Sequence, residues 1–108
     1  MSARDQAHID RILQELRFIK EALKDMDKGA FLEDDVMQHA IAMSLISIGE
    51  CARCLSEAFK EKHAHIEWVQ IIAVRNIAAH GYWQLNMEQI WQAVEEDIPE
   101  LDRFFASL

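Results

Sequence analysis

The chain has few of the residues that mark turns and loops. Its 108 residues include one proline and three glycines, which argues against disorder, a collagen-like repeat and an all-β fold with many tight turns. No run of 18 apolar residues occurs, so we expect no membrane span. The N-terminus carries charges at Arg4, Asp5, Asp10 and Arg11 where a signal peptide would be apolar. We therefore expect a cytoplasmic protein.

Cysteine is equally scarce. Cys51 and Cys54 are three residues apart inside a predicted helix, and we expect both to be reduced, with no disulfide framework. With His63 and His65 they supply the residue types of a zinc site, but zinc fingers carry their cysteines on a turn rather than in mid-helix. The Walker A motif, the G-x-G-x-x-G loop and the nucleophile elbow do not occur, so we expect no metal and no cofactor.

What the chain does contain is enough apolar material for a core. About half of its residues (51%) are apolar, and its length fits one domain spanning residues 1–108. The net charge is −8, from 11 basic and 19 acidic residues. This balance argues weakly against a bulk affinity for nucleic acid, without excluding a local site.

Apolar residues recur every three or four positions, which predicts amphipathic helices. Four helices are expected, over about residues 4–28, 34 or 35 to 62, 68–80, and 85 or 86 to 97. Gly29 would stop the first of them. Val36 and Met43 widen the apolar face of the second, which should be the most buried. Pro99 fits the first turn of a short last helix. The expected fold is all-α, an antiparallel four-helix bundle with a short fifth C-terminal helix.

Polar residues follow the apolar run at 68–74, at the end of the third helix. They are Arg75, Asn76 and His80. Burying such groups without hydrogen-bond partners costs roughly several kcal/mol. Asn76 and His80 are four residues apart and share one helix face. Arg75 and His80 are five apart, about 140° around the axis. They could converge if the helix ends at His80, where Gly81 can terminate it, or if a second copy supplies the missing group.

A second unusual pair lies in the middle of the second helix. Gly49 costs roughly 1 kcal/mol in a helix interior, which suggests a close helix crossing there. Glu50 beside it is either solvated at the edge of the core or anchors Arg75 or a partner.

Two interpretations of the polar cluster remain open on chemistry alone. In the first, Asn76 and His80 cap backbone groups, and Arg75 pairs with Glu50 or with a C-terminal acid. In the second, a histidine that can take a proton near neutral pH works beside an arginine that holds phosphate oxygens. That pairing suits metal-free cleavage of an RNA phosphodiester by its own 2′-hydroxyl.

The cluster resembles the signature of a known family. The stretch Arg75-Asn76-x-x-x-His80-x-Tyr82 is similar to the R-x4-H-x-Y signature of HepT toxins, a branch of the HEPN superfamily. Ile48-Gly49-Glu50 resembles the family's I-G-E on the second helix, and the likeness extends over residues 4–105. Gly49, Glu50 and Gly81 are therefore candidate supporting residues.

The resemblance implies a homodimer in which two R-x4-H motifs form one composite ribonuclease site. His80 would be the acid/base, Arg75 the cation for the phosphate and the transition state, and Asn76 the neighbour that orients His80. The family's partner is an MntA-type nucleotidyltransferase antitoxin, which adenylylates the motif tyrosine and silences the toxin. The matching residue here is Tyr82.

Two hypotheses of function follow. The leading one is a metal-independent endoribonuclease, the toxin half of a toxin–antitoxin pair. Its rival is a non-catalytic HEPN subunit that binds nucleotide or completes a nucleotidyltransferase complex. In the rival, Arg75 and His80 would be binding or packing groups.

Overall fold

The protein is built from helices. A computed structural model describes residues 1–81 and 86–108, with the backbone only for residues 77–81. No strand occurs in these ranges, so the predicted all-α class is confirmed. The helices are α1 (Ala3–Leu23), α2 (Lys28–Leu32), α3 (Asp35–Cys54), α4 (Glu57–Lys62), α5 (Trp68–Gly81) and α6 (Met87–Ala106). No helix in the described part of the chain is both long and apolar enough to cross a bilayer.

The helix starts are set by short polar side chains. Five helices begin after a residue whose side-chain oxygen accepts a hydrogen bond from a backbone N–H of the first turn: Ser2, Asp27, Asp34, Ser56 and Asn86. Such caps satisfy N–H groups that a helix leaves unpaired. The predicted starts near Ser2, at Asp34 or Asp35 and at Asn86 are thus confirmed.

The first two predicted helices each end earlier than expected. The first ends at Leu23, and Gly29 lies inside α2 rather than at a helix end. The second ends at Cys54, and Ser56 caps a separate helix, α4. The apolar spacing continues past both ends, because Met26 packs against the core after α1 and α4 buries Phe59. The capping side chains that begin the next helix do not alter that spacing.

The predicted stop near Asp97 is wrong. Helix α6 continues to Ala106 with Pro99 inside it, although an interior proline costs about 3 kcal/mol. Ile98, Leu101 and Phe105 on this part of α6 are buried, and their packing offsets that cost. The segment that was expected to form a separate short final helix is therefore helical, but it is the C-terminal half of α6.

Helix α3 occupies the centre. It packs against both α1 and α5, while α6 packs against α1 and α2 bridges α3 and α6. The most deeply buried residues of α1 and α3 are Ile9, Ile12, Leu16, Ile19, Ile41, Ala42, Ile48 and Ala52. The apolar face of α3 is narrower than predicted, because Val36 and Met43 are 81% and 64% exposed.

A buried carboxylate joins the starts of α1 and α4. Asp5 is only 4% exposed. It accepts hydrogen bonds from the backbone N–H of Ser56, at 2.8 Å, and from the Ser56 hydroxyl, at 2.6 Å. These bonds hold the pKa of Asp5 below its ordinary value of 3.8, although burial opposes the shift. Asp5 is therefore ionised in the folded protein at neutral pH.

We expect Asp5→Ala to lower the free energy of unfolding by about 2 kcal/mol, because it leaves two donors without their acceptor. Urea denaturation at pH 7 measures this. The folded-state pKa lies below 3.8, so the contribution is present above pH 3.8 and is lost as the pH falls through the folded-state value. The gap between wild type and variant should shrink in acid. The exposed Asp25 provides the control, and an equal loss in Asp25→Ala would contradict the assignment.

Candidate active site

The site begins at a close crossing of α3 and α5. Gly49 is buried on α3, and a side-chain carbon added there would collide with Cβ of Arg75 and stand 3.0 Å from the carbonyl oxygen of Ile71. Only glycine permits this approach of the two helices. The crossing predicted at Gly49 is confirmed, and it presses Arg75 against α3.

The next residue on α3 receives the arginine. Nε of Arg75 lies 2.8 Å from Oε2 of Glu50. On the other side of that carboxylate, Nη2 of Arg53 is 2.5 Å from Oε1 and Nε of Arg53 is 3.4 Å from Oε2. One carboxylate thus lies between two guanidinium groups. The side chains of Arg75 and Glu50 are 27% and 39% exposed, so the pair is half-buried at the surface.

The two arginines hold Glu50 unequally. Hydrogen bonds from Arg53 are the largest cause that keeps the pKa of Glu50 below its usual range. Burial opposes them, while the charges of Arg53 and Arg75 and, last, a hydrogen bond from Arg75 add to the lowering. The buried Nε–H of Arg75 makes no well-directed hydrogen bond, despite its short distance to Oε2. The hydrogen bond of Arg75 to Glu50 is therefore the weaker of the two, and Arg53 is the firmer partner.

Asn76 holds the other side of the guanidinium. Its Oδ1 accepts a hydrogen bond from Nη1 of Arg75 at 2.9 Å. The family resemblance implied that Asn76 orients His80, whose side chain lies outside the described residues. In the described structure Asn76 orients Arg75. Tyr82 is also outside the described residues.

Within the described side chains, these contacts account for only part of the guanidinium of Arg75. A guanidinium carries five N–H donors, of which Nε faces Glu50 and one on Nη1 faces Asn76. Among residues 1–76 and 86–108, nothing accepts a hydrogen bond from Nη2. A partly exposed donor pair of this kind can bind the oxygens of a phosphate.

His80 lies on the same helix, five residues further on. Helix α5 ends at Gly81, one residue beyond the predicted His80. The two positions are separated by about 7.5 Å along the axis and about 140° around it. The backbone of one chain therefore leaves the predicted pair on different sides of α5, and a contribution from a second copy stays a prediction.

Arg53 was not predicted as part of this site. The signal was present in the spacing, because Glu50 and Arg53 are three residues apart on one helix and carry opposite charges. Such pairs are common on solvated helix faces, so the spacing alone does not distinguish Arg53 from a surface residue.

An apolar recess lies between α3, α5 and α6. It has a volume of about 170 Å³, and its lining includes Ile48, Ile71 and Val74 together with Glu67 and Asp97. Burial and the neighbouring acids Glu96, Glu100 and Glu67 raise the pKa of Asp97. In the described ranges, no three His, Cys, Asp or Glu residues converge into a metal site.

Comparison with known proteins identifies the protein family. The family described as "Ribonuclease HepT-like" matches residues 12–108. The chain belongs to the HepT-like ribonuclease family, which confirms the resemblance drawn from the R-x4-H-x-Y signature.

Named relatives agree with the family. The chain is 34% identical over 96 residues to "Putative RNase TTE0752" of Caldanaerobacter subterraneus subsp. tengcongensis, covering 89% of this chain and 86% of that protein. It is 31% identical over 104 residues to "Putative RNase MJ1380" of Methanocaldococcus jannaschii, covering 95% of each. It is 29% identical over 101 residues to "Probable ribonuclease HepT" of Thermococcus cleftensis, covering 94% and 92%. No solved structure matches.

We expect Gly49→Ala to lower the free energy of unfolding by about 2 kcal/mol, because the methyl group meets atoms close to the α5 backbone and forces the helices apart. This outweighs the gain of up to about 1 kcal/mol from alanine's helix propensity. Gly29→Ala is the matched control, since its added carbon would lie an ordinary 3.6 Å from Oδ1 of Asp27. Thermal or urea unfolding measures both, and a neutral Gly49→Ala would contradict the crossing.

Proposed function

We propose that the chain is a metal-independent endoribonuclease and the toxin half of a toxin–antitoxin pair. The observation that carries this proposal is Arg75, which is oriented by Glu50 and Asn76 and whose Nη2 donates to none of the side chains that the structure describes. Membership of the HepT-like ribonuclease family supports it.

The proposed reaction is transfer of the phosphodiester within the RNA. The 2′-oxygen attacks phosphorus and the bond to the 5′-oxygen breaks, which leaves a 2′,3′-cyclic phosphate and a free 5′-hydroxyl. His80 takes the proton of the 2′-hydroxyl, and an imidazolium returns one to the departing 5′-oxygen. Arg75 holds the phosphate oxygens and stabilises the negative charge that develops on them. Neither step requires a metal ion.

The proposed active unit is a homodimer. Arg75 and His80 do not converge on the backbone of a single α5, so each half-site would take groups from two copies across the dimer axis. This arrangement would also place two arginines along one RNA backbone.

The proposed regulator is an MntA-type nucleotidyltransferase that adenylylates Tyr82. The tyrosine is two residues from His80 and seven from Arg75 in the sequence. An AMP group there would bring a phosphate that competes with RNA for the guanidinium. The enzyme would then be inhibited because the AMP phosphate occupies Arg75 in place of the RNA phosphate.

We expect purified protein to cleave RNA in EDTA, and Arg75→Ala and His80→Ala each to reduce kcat/KM by about a hundredfold or more while remaining folded. A gel assay with a labelled RNA measures this, with Arg103→Ala as the charge-matched control on the exposed surface of α6. Full activity of His80→Ala would refute the mechanism. If the wild type cleaves nothing and His80→Ala alters partner binding, the non-catalytic HEPN subunit is the better reading.

We expect co-expression with a neighbouring nucleotidyltransferase to add one or more AMP units to the peptide that holds Tyr82. Intact-mass measurement and peptide mapping detect them, and Tyr82→Phe should abolish the modification there. An unmodified mass in both samples would contradict regulation by adenylylation and leave inhibition to simple binding.

A further inference from the structure

We propose that Arg53 is a positioning residue that limits the hold of Glu50 on Arg75, and so leaves Arg75 free for the RNA phosphate. The inference rests on the proposed function for the role of Arg75. It assigns to Arg53 a task that the R-x4-H motif does not include.

The geometry of the carboxylate supports this assignment. Arg53 faces both oxygens of Glu50, with Nη2 2.5 Å from Oε1 and Nε 3.4 Å from Oε2. Arg75 reaches only Oε2, through Nε. The two cations therefore share Oε2, and of the two only Arg53 contacts Oε1, to which the thiol of Cys54 also donates at 3.9 Å.

The directions of the hydrogen bonds also indicate that Glu50 is held more firmly by Arg53 than by Arg75. The contact with Arg53 is a two-point approach of the kind that fixes a carboxylate in one orientation. The Nε–H of Arg75 is buried and makes no well-directed hydrogen bond, so it lies near the charge without being bound tightly by it. Glu50 is thereby anchored to its own helix, one turn away, and steers Arg75 without sequestering it.

Removal of Arg53 should change that balance. A carboxylate with one cation left turns toward it, and both oxygens of Glu50 could then pair with the guanidinium of Arg75. Glu50 would compete with the substrate phosphate for the same donors. The neutral cluster of one acid and one base would also attract a polyanion less than the present cluster of two bases and one acid does.

A direct contact of Arg53 with RNA is the rival explanation. Arg53 is exposed on α3, and a surface arginine can bind phosphate by itself. Both explanations predict weaker RNA binding when Arg53 is removed. They differ in whether the effect passes through Glu50, which a double-mutant cycle separates.

The first arm of the test measures RNA cleavage by wild type, Arg53→Ala, Glu50→Gln and the double variant. We expect Arg53→Ala to raise KM roughly threefold to tenfold with a smaller change in kcat, the range expected for a partly exposed charged contact. In the Glu50→Gln background the same substitution should leave KM unchanged. Arg53→Lys keeps the charge but loses the two-point contact of the guanidinium. Its KM should lie between those of wild type and Arg53→Ala. Arg103→Ala controls for the loss of one positive charge.

The second arm does not depend on activity. The Nε–H signal of Arg75 in ¹⁵N-edited NMR spectra, assigned by its loss in Arg75→Lys, reports how firmly that proton is held. We expect its exchange with water to slow in Arg53→Ala, because the freed carboxylate now binds it. Arg53→Ala/Glu50→Gln should match Glu50→Gln.

The outcomes separate the inference from the function it rests on. Cleavage that does not depend on Arg75 would sink the proposed function, and the NMR arm would still decide the role of Arg53. Arg75-dependent cleavage with equal KM effects of Arg53→Ala in both backgrounds would overturn the inference in favour of direct contact with RNA. An unchanged Nε–H exchange rate in Arg53→Ala would overturn it as well.

Discussion

The close approach of α3 and α5 at Gly49 is the constraint on which the candidate site depends. Because Gly49 presents no side chain, Cβ of Arg75 can lie against α3. The guanidinium then meets Glu50, the next residue of that helix, and Glu50 in turn meets Arg53 one turn further on. The position of the cation is therefore fixed by the packing of two backbones, and the polar contacts adjust its orientation afterwards.

The polar contacts themselves contribute more to orientation than to stability. Ion pairs at partly exposed positions stabilise a fold only slightly, since water screens the charges. The firm interactions that hold the bundle are apolar, and Asp5 is a buried polar residue that joins α1 to α4. A protein arranged in this way can alter the charges around Arg75 while its core remains intact.

Sequence spacing predicted α5 well, because an uninterrupted apolar run and the glycine at its end both lie within one helix. It failed at Asp27 and Ser56, which cap new helices after a break, and at Pro99, where tertiary packing carries α6 onward. For the site, it identified Arg75 with Gly49 and Glu50, but left open whether Glu50 meets Arg75. That contact depends on the rotation of α5 about its own axis relative to α3, which no spacing within either helix encodes.

The acids around the apolar recess have a consequence for how RNA meets the protein. Glu67 precedes α5, while Arg75 follows eight residues later, about 12 Å along the axis. That distance is close to the Debye length at 0.1 M salt, about 10 Å. In dilute buffer the net charge of −8 repels a polyanion from the whole protein. At higher ionic strength the distant acids are screened, and the polyanion interacts with the local charge around Arg75. Moderate salt should therefore speed the encounter with RNA, the reverse of its effect on a basic nuclease.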